Sequence, residues 1–232
     1  MDTLDKLIES GLCRRGGPVR LHLGCGNVSL PDYIDIDFPQ DQHNVMKSAA
    51  DAEADIVKDL NFPRFSVDEI RSHHMFEHFP RIIALAQLVK WHFWLKVDGI
   101  LVIETPDFLE SARQFVSSSV EYKRKMAIVR HLVGDQSADW AFHVDQWYKD
   151  RFETTLSMLS FHITDIISTQ WDRWPYLCSI TVKAKKVGKV SINDQIDKCL
   201  LILKDSMVSE REVATYNVWK DQLIEALKEV IK

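Results

Sequence analysis

The sequence predicts an α/β chain: a doubly wound, mostly parallel seven-stranded sheet followed by a C-terminal helical hairpin. Three observations predict it. Short apolar runs alternate with stretches of helical periodicity along most of the chain, the pattern of strands laid parallel through crossover helices. Gly99–Thr105 (Gly-Ile-Leu-Val-Ile-Glu-Thr) is almost continuously apolar and β-branched, as a parallel strand covered on both faces must be. After Lys189 the chain carries neither glycine nor proline and shows two amphipathic stripes.

The elements follow in order. Asp2–Leu12 has the spacing of a short amphipathic helix, and Arg14-Arg15-Gly16-Gly17-Pro18 is a turn. Val19–Leu23 is a buried strand, Tyr33–Asp37 the second, Asp55-Ile56-Val57 the third and Asp68–Ser72 the fourth. Ile82–Leu95 carries apolar residues at helical spacing, and Val97-Asp98-Gly99 ends that helix with a glycine before the fifth strand. A helical stretch runs from Phe108 to about Leu132, then an aromatic and polar loop over 134–150. A helix near Phe152–Leu159 and two closing strands, Ile163–Thr169 and Leu177–Lys183, complete the sheet. In the tail, Ile192, Ile196, Cys199, Leu200, Leu203 and Met207 form one stripe. Ser209-Glu210-Arg211-Glu212 reads as a capping box opening a second, with Val213, Tyr216, Trp219, Leu223, Leu227 and Val230. The predicted organisation is a sheet domain over 1–188 and a helical appendage over 189–232. On this reading truncation after Lys186 leaves the sheet domain folded. The appendage either packs back on the domain or closes a homodimer as a four-helix contact.

Composition bounds the function. The chain has 232 residues, 46% of them hydrophobic, enough for one α/β core and an appendage. A net charge of -5 is a poor balance for binding nucleic acid. The N-terminus lacks the basic region and apolar core of a signal peptide, and no apolar run approaches the ~20 residues of a membrane span. Cys13, Cys25, Cys178 and Cys199 are scattered with no Cys-x-x-Cys, which reads as reduced thiols in a cytoplasmic protein.

The residues that speak of chemistry begin at Leu21-His22-Leu23-Gly24-Cys25-Gly26, followed by Tyr33-Ile34-Asp35-Ile36-Asp37. A strand ending in two glycines, then a strand ending in an acid, is the opening of a nucleotide-binding β-α-β unit. The glycines admit a ligand to the backbone, and the acid takes two ribose hydroxyls. The competing role of Asp37 is a turn acid, and Asp35 is the reserve candidate. Ser29 stands where a third glycine would complete the dinucleotide fingerprint. Its place there points to a nucleoside ligand without a pyrophosphate, with S-adenosylmethionine the candidate cofactor. Only a short loop separates Gly26 from the second strand, so the first crossover helix is short or missing.

The order of motifs resembles that of the class I S-adenosylmethionine-dependent methyltransferases, over roughly residues 19–184. Leu21–Gly26 resembles their first motif and Asp37 the acid ending their second strand. Asp59-Leu60 resembles the adenine-proximal segment after the third, and Ser72–His78 the "xxLEH" segment after the fourth. Leu95-Lys96-Val97-Asp98-Gly99 resembles the "LKPGG" turn into the fifth strand. The likeness is greatest to small bacterial methyltransferases that accompany polysaccharide-assembly enzymes. They share the "LGCGN…L-P-x-Y-I-x-I-D" opening, the "H-M-x-E-H-F" segment, and a later element seen here as Gly134-Asp135-Gln136 and Phe142-His143. The resemblance implies a Rossmann-like fold and a cofactor held by Gly24, Cys25, Gly26, Asp37, Asp59, Leu60 and His74. It also implies methyl transfer to a hydroxyl of a small molecule, a sugar or a glycan intermediate.

A sugar hydroxyl is a poor nucleophile, so a positioned base should accelerate transfer by ~10²–10⁴-fold. His78, Asp107 and His143 are the candidates at the strand ends, each with a structural or capping alternative. Trp140, Phe142, Trp147 and Tyr148 suit a sugar ring or the core, and Lys123-Arg124-Lys125 with Arg130 the phosphates of a nucleotide sugar or a solvated helix face. His74-Met75-Phe76-Glu77-His78 also matches H-x-x-E-H, the inverted zinc-peptidase motif. That reading needs both histidines on one continuous helix, whereas a strand precedes the segment and Pro80 follows it; no metal site is expected there. The readings to be weighed are therefore a methyltransferase, a non-catalytic module of the same fold that binds a partner, and a zinc hydrolase.

Overall fold

The computed structural model describes residues 2–42 and 47–231. Among the described residues seven strands form one sheet: β1 (Arg20–Leu23), β2 (Ile34–Asp37), β3 (Ala52–Glu53), β4 (Val67–His73), β5 (Leu95–Pro106), β6 (Phe161–Trp171) and β7 (Trp174–Lys186). Their order is β3-β2-β1-β4-β5-β7-β6. The first five are parallel, and β7 runs antiparallel to both β5 and β6. The helices are α1 (Thr3–Glu9), α2 (Arg81–Trp94), α3 (Phe108–Val116), α4 (Tyr122–Val133), α5 (Lys149–Met158), α6 (Ile192–Lys204) and α7 (Val213–Ile231).

The sheet is mixed because β6 and β7 meet in a tight hairpin at the edge, where no crossover helix is needed. Residues 24–33 connect β1 to β2 without a helix. Chain order reverses beside β1: β2 and β3 lie on one side, β4 and β5 on the other. That reversal splays the connections apart at the carboxyl ends of β1 and β4 and leaves a crevice between them.

Three local expectations need correction. The third strand is Ala52–Glu53, not Asp55-Ile56-Val57, because Asp55 turns the chain: its Oδ1 accepts the N–H groups of Val57 and Lys58. α2 ends at Trp94 without reaching Gly99; Leu95 is buried and paired, and residues 96–99 form an outward excursion of β5, with Asp98 at φ +64. Pairing with β4 accordingly jumps from Val67↔Leu95 to Glu69↔Ile100. The helical stretch from Phe108 is two helices, α3 and α4, divided by a serine-rich break at 117–119.

One apolar core runs from the sheet through α2 into the tail. Leu21, Leu23, Ile70, Leu88 and Trp91 belong to it, and so do Cys199, Leu203, Leu223 and Leu227. α6 and α7 both pack against α2, and the Arg81 guanidinium lies 5.6 Å from the Trp219 ring centre. Of the stripe that suggested a dimer, Leu223 and Leu227 are buried within the chain and Tyr216 and Trp219 partly so, whereas Val213 is exposed. Among the described residues no helix is long and apolar enough to cross a membrane.

Candidate active site

The glycine turn is built by its neighbours. Gly24 and Gly26 sit at φ +71 and +56, where a side chain is strained. The Gly24 N–H donates to Ile36 O at 2.8 Å, and the Gly26 N–H donates to Asp37 Oδ2 at 2.6 Å. Asp37 Oδ1 accepts the Phe38 N–H at 2.7 Å. The acid at the end of β2 therefore closes the turn at the end of β1. A Cβ on Gly24 would lie 2.4 Å from Met75 Cγ, just beyond β4, so three strand ends meet with no room to spare. Gly24→Val is expected to lose donor binding and to melt well below the parent; a variant with parental melting and affinity would show that this turn is not the ligand's seat.

Above the turn lies a cavity of about 460 Å³, within the range of small-molecule pockets. Gly24, Gly26 and Asp37 form one wall and the 55–58 turn a second. His74, Met75 and His78 form a third, and Trp140 and Phe142 reach over from the 134–150 loop. The lining is largely apolar, with Asp37, Asp55, Asp139, Lys58, His74 and His78 as its charged or titratable members.

The structure thus brings Gly24, Gly26, Asp37, His74 and His78 to one cavity. Cys25 is buried beside them, its thiol pushed up to about 12 by burial and by Asp37 and Asp35, which keeps it protonated. Asp59 and Leu60 are not brought there. Asp59 Oδ2 accepts the Asp55 N–H at 2.8 Å, and Leu60 is in the core. The turn that reaches the cavity is Asp55–Lys58, read from sequence as a strand because two apolar residues follow an acid. Asp107 is also withdrawn: it is buried, caps α3 through the Glu110 N–H at 3.1 Å and accepts from the Ser168 hydroxyl. Asp35, the reserve acid, pairs with His22 Nδ1 at 2.8 Å, both side chains fully buried. The loop aromatics divide: Trp140 and Phe142 line the cavity, whereas Trp147 is buried and stacks on Phe152 at 4.7 Å.

The segment after β4 does not continue as a helix. His74 sits at φ +48, and Phe76–His78 form a single 3₁₀ turn. His74 is held by Glu77 (Nδ1 to Oε1, 3.2 Å), Glu104 (Nε2 to Oε1, 3.3 Å) and the Ser179 hydroxyl (3.1 Å). Burial pushes the His74 imidazole down, but hydrogen bonds and charge from Glu104 and Glu77 outweigh it and raise it to about 10. In return the His74 hydrogen bond draws Glu104 down to about 2. Glu104 and Ser179 carried no signal in the sequence, since only the β4–β5–β7 pairing brings them to His74. On the other side of Glu77, His143 Nε2 lies 3.8 Å from Oε1, and the His78 and His143 rings meet edge-on at 4.7 Å. Burial takes the His143 imidazole down to about 4, with the His78 charge acting in the same direction, so its ring is neutral at pH 7. The H-x-x-E-H zinc reading fails here, because both His74 nitrogens are engaged away from His78.

Comparison with solved structures places this architecture. An S-adenosylmethionine-dependent methyltransferase from Methanosarcina mazei superposes with a TM-score of 0.50 at 12% identity, over 78% of this chain and 98% of its own. The chain has the fold of an S-adenosylmethionine-dependent methyltransferase. A 1,6-didemethyltoxoflavin N1-methyltransferase from Burkholderia thailandensis, solved with S-adenosylhomocysteine, gives 0.49 at 13% identity over 79% of this chain and 76% of its own. A Mesorhizobium loti methyltransferase gives 0.48 at 14% identity, over 76% and 95%. No family model matches the sequence. No curated protein matches it either.

Proposed function

We propose that the chain is an S-adenosylmethionine-dependent O-methyltransferase acting on a hydroxyl of a sugar or glycan intermediate, with residues 1–188 as its catalytic part and 189–232 as a helical appendage. One observation carries the reading: the cavity lies where strand order reverses, floored by the Gly24–Gly26 turn that Asp37 closes. In this reading the methionine moiety of the donor lies along Gly24–Gly26, and Asp37 accepts the ribose hydroxyls. The adenine packs against Ile56 and Val57. The sulfonium is positive, and three acids against Lys58 and His74 leave the lining acidic on balance.

The acceptor then enters under Trp140 and Phe142, whose faces suit a sugar ring. Its hydroxyl oxygen attacks the donor methyl carbon, the carbon–sulfur pair returns to sulfur, and the hydroxyl proton passes to a base. Holding donor and acceptor in line supplies much of the acceleration. Of the base candidates, His78 lines the cavity with His143 against it, whereas Asp107 is a cap. His78→Ala is expected to lower turnover by ~10²-fold or more with donor affinity retained. The test is transfer from a methyl-labelled donor to a panel of nucleotide sugars and glycans. Label on a sugar oxygen supports the proposal; donor binding with transfer to no hydroxyl acceptor favours a binding module of the same fold.

A further inference from the structure

We propose that Glu77, His78 and His143 form a binding site for a divalent transition-metal ion at the wall of the cavity. The proposal stands without the methyl-transfer reading; with a metal bound, His78 serves as a ligand and not as the base. One carboxylate oxygen of Glu77 and one ring nitrogen from each histidine lie within 4.8 Å of one another. This set shares Glu77 and His78 with the H-x-x-E-H motif but replaces His74 with a histidine from the distant 134–150 loop.

The surrounding hydrogen bonds prepare the rings to ligate. His143 Nδ1 lies 2.9 Å from His131 O, and His78 Nδ1 lies 3.0 Å from Phe142 O. A carbonyl oxygen only accepts, so each ring carries a proton on Nδ1, which leaves Nε2 as the nitrogen that can ligate. A carbonyl partner on the second nitrogen is the usual second shell of a ligating imidazole. His143 Nε2 lies 3.8 Å from Glu77 Oε1, an oxygen that His74 Nδ1 also approaches at 3.2 Å. Glu77 Oε2 is buried and has no hydrogen-bond partner among the described residues.

The backbone holds the set in place. Glu77 O accepts the N–H groups of Val144 (3.0 Å) and Asp145 (3.2 Å), stitching the 3₁₀ turn to the loop that carries His143. The loop is bent by Gly134 at φ +84, where a Cβ would lie 2.1 Å from Ala141 O. Two imidazoles and one carboxylate are a zinc-type donor set that leaves a position open, with ligation at about 2.0–2.1 Å. His78 lines the cavity, so the open position faces it. A hydroxyl or carbonyl oxygen of a bound ligand would be polarised there.

The test uses the full chain, stripped with a chelator and titrated with zinc chloride. The expected result is one zinc per chain by elemental analysis after gel filtration, with a rise in melting temperature by mass action. His78→Ala and His143→Ala should each weaken zinc by about 100-fold or more, since even losing a second-shell partner costs 10–100-fold. His162→Ala, at an exposed histidine on β6, should leave it unchanged. If a variant fails to fold, cobalt loaded into the parent chain provides the second reading, with visible bands of a four- or five-coordinate site. No stoichiometric zinc, zinc held equally by both site variants, or an octahedral aqua-cobalt spectrum would overturn the proposal.

Discussion

Asp37→Ala should weaken S-adenosylhomocysteine binding by ~10²–10⁴-fold. Each hydrogen bond to a charged acceptor is worth about 1.5–3 kcal/mol, and the ribose offers two. Asp37 also accepts the Gly26 and Phe38 N–H groups and the Cys25 thiol, so the same carboxylate that closes the turn is the one this reading sets against the ribose. Alanine removes both roles and also strands the Gly26 N–H. Asp37→Asn separates them in part: its amide oxygen can still accept the Gly26 N–H, but its NH2 then faces the Phe38 N–H donor to donor, and no charge is left for the diol. The asparagine variant should therefore melt between the parent and the alanine variant and bind with intermediate affinity in calorimetric titration. Parental affinity in both variants would remove Asp37 from the ligand's site.

Truncation after Lys186 should abolish cooperative unfolding, contrary to what the tail's composition predicts. The reason is burial. Ile196, Cys199, Leu203, Leu223 and Leu227 are buried in the core that also holds Leu88 and Trp91 of α2. At about 1.5–3 kcal/mol per buried side chain, their loss is on the order of 10 kcal/mol, comparable to the whole stability of a domain. Gln195 Nε2 also donates to Leu159 O at 3.1 Å, a bond that ties α6 to the end of α5. The single change Leu227→Ala should cost about 2–5 kcal/mol in denaturant titration. A truncated chain with a parental melting transition would show that the appendage only rests on the domain.

Local chemistry was legible in the sequence where a residue acts near its own position. Two glycines after an apolar run and an acid after the next placed β1, β2 and the turn between them, and the short loop in the same stretch pointed to a first crossover helix that is short or missing. Apolar periodicity placed α2 within a residue at either end. What failed was the punctuation. Asp55 looked like a strand start because its Asx turn and a strand begin alike. Gly99 looked like a helix cap because the residue that takes positive φ is its neighbour Asp98. The site was legible only in halves. His74, Glu77 and His78 are adjacent in the chain, but whether they form a helix face or a turn depends on Glu104 and Ser179, brought by sheet pairing. His143 meets Glu77 only because the Glu77 carbonyl binds the loop behind it. Asp107 sits at a strand end as a base would, and only the fold reveals that its carboxylate faces α3 and Ser168.

The central claim is that the cavity between the ends of β1, β2 and β4 is a methyl-donor site, and calorimetric titration of the full chain with S-adenosylhomocysteine tests it most directly. One site per chain is expected, with affinity lost in Gly24→Val and cut at least about hundredfold in Asp37→Ala. No saturable binding at millimolar ligand, or binding that ignores both substitutions, would contradict it.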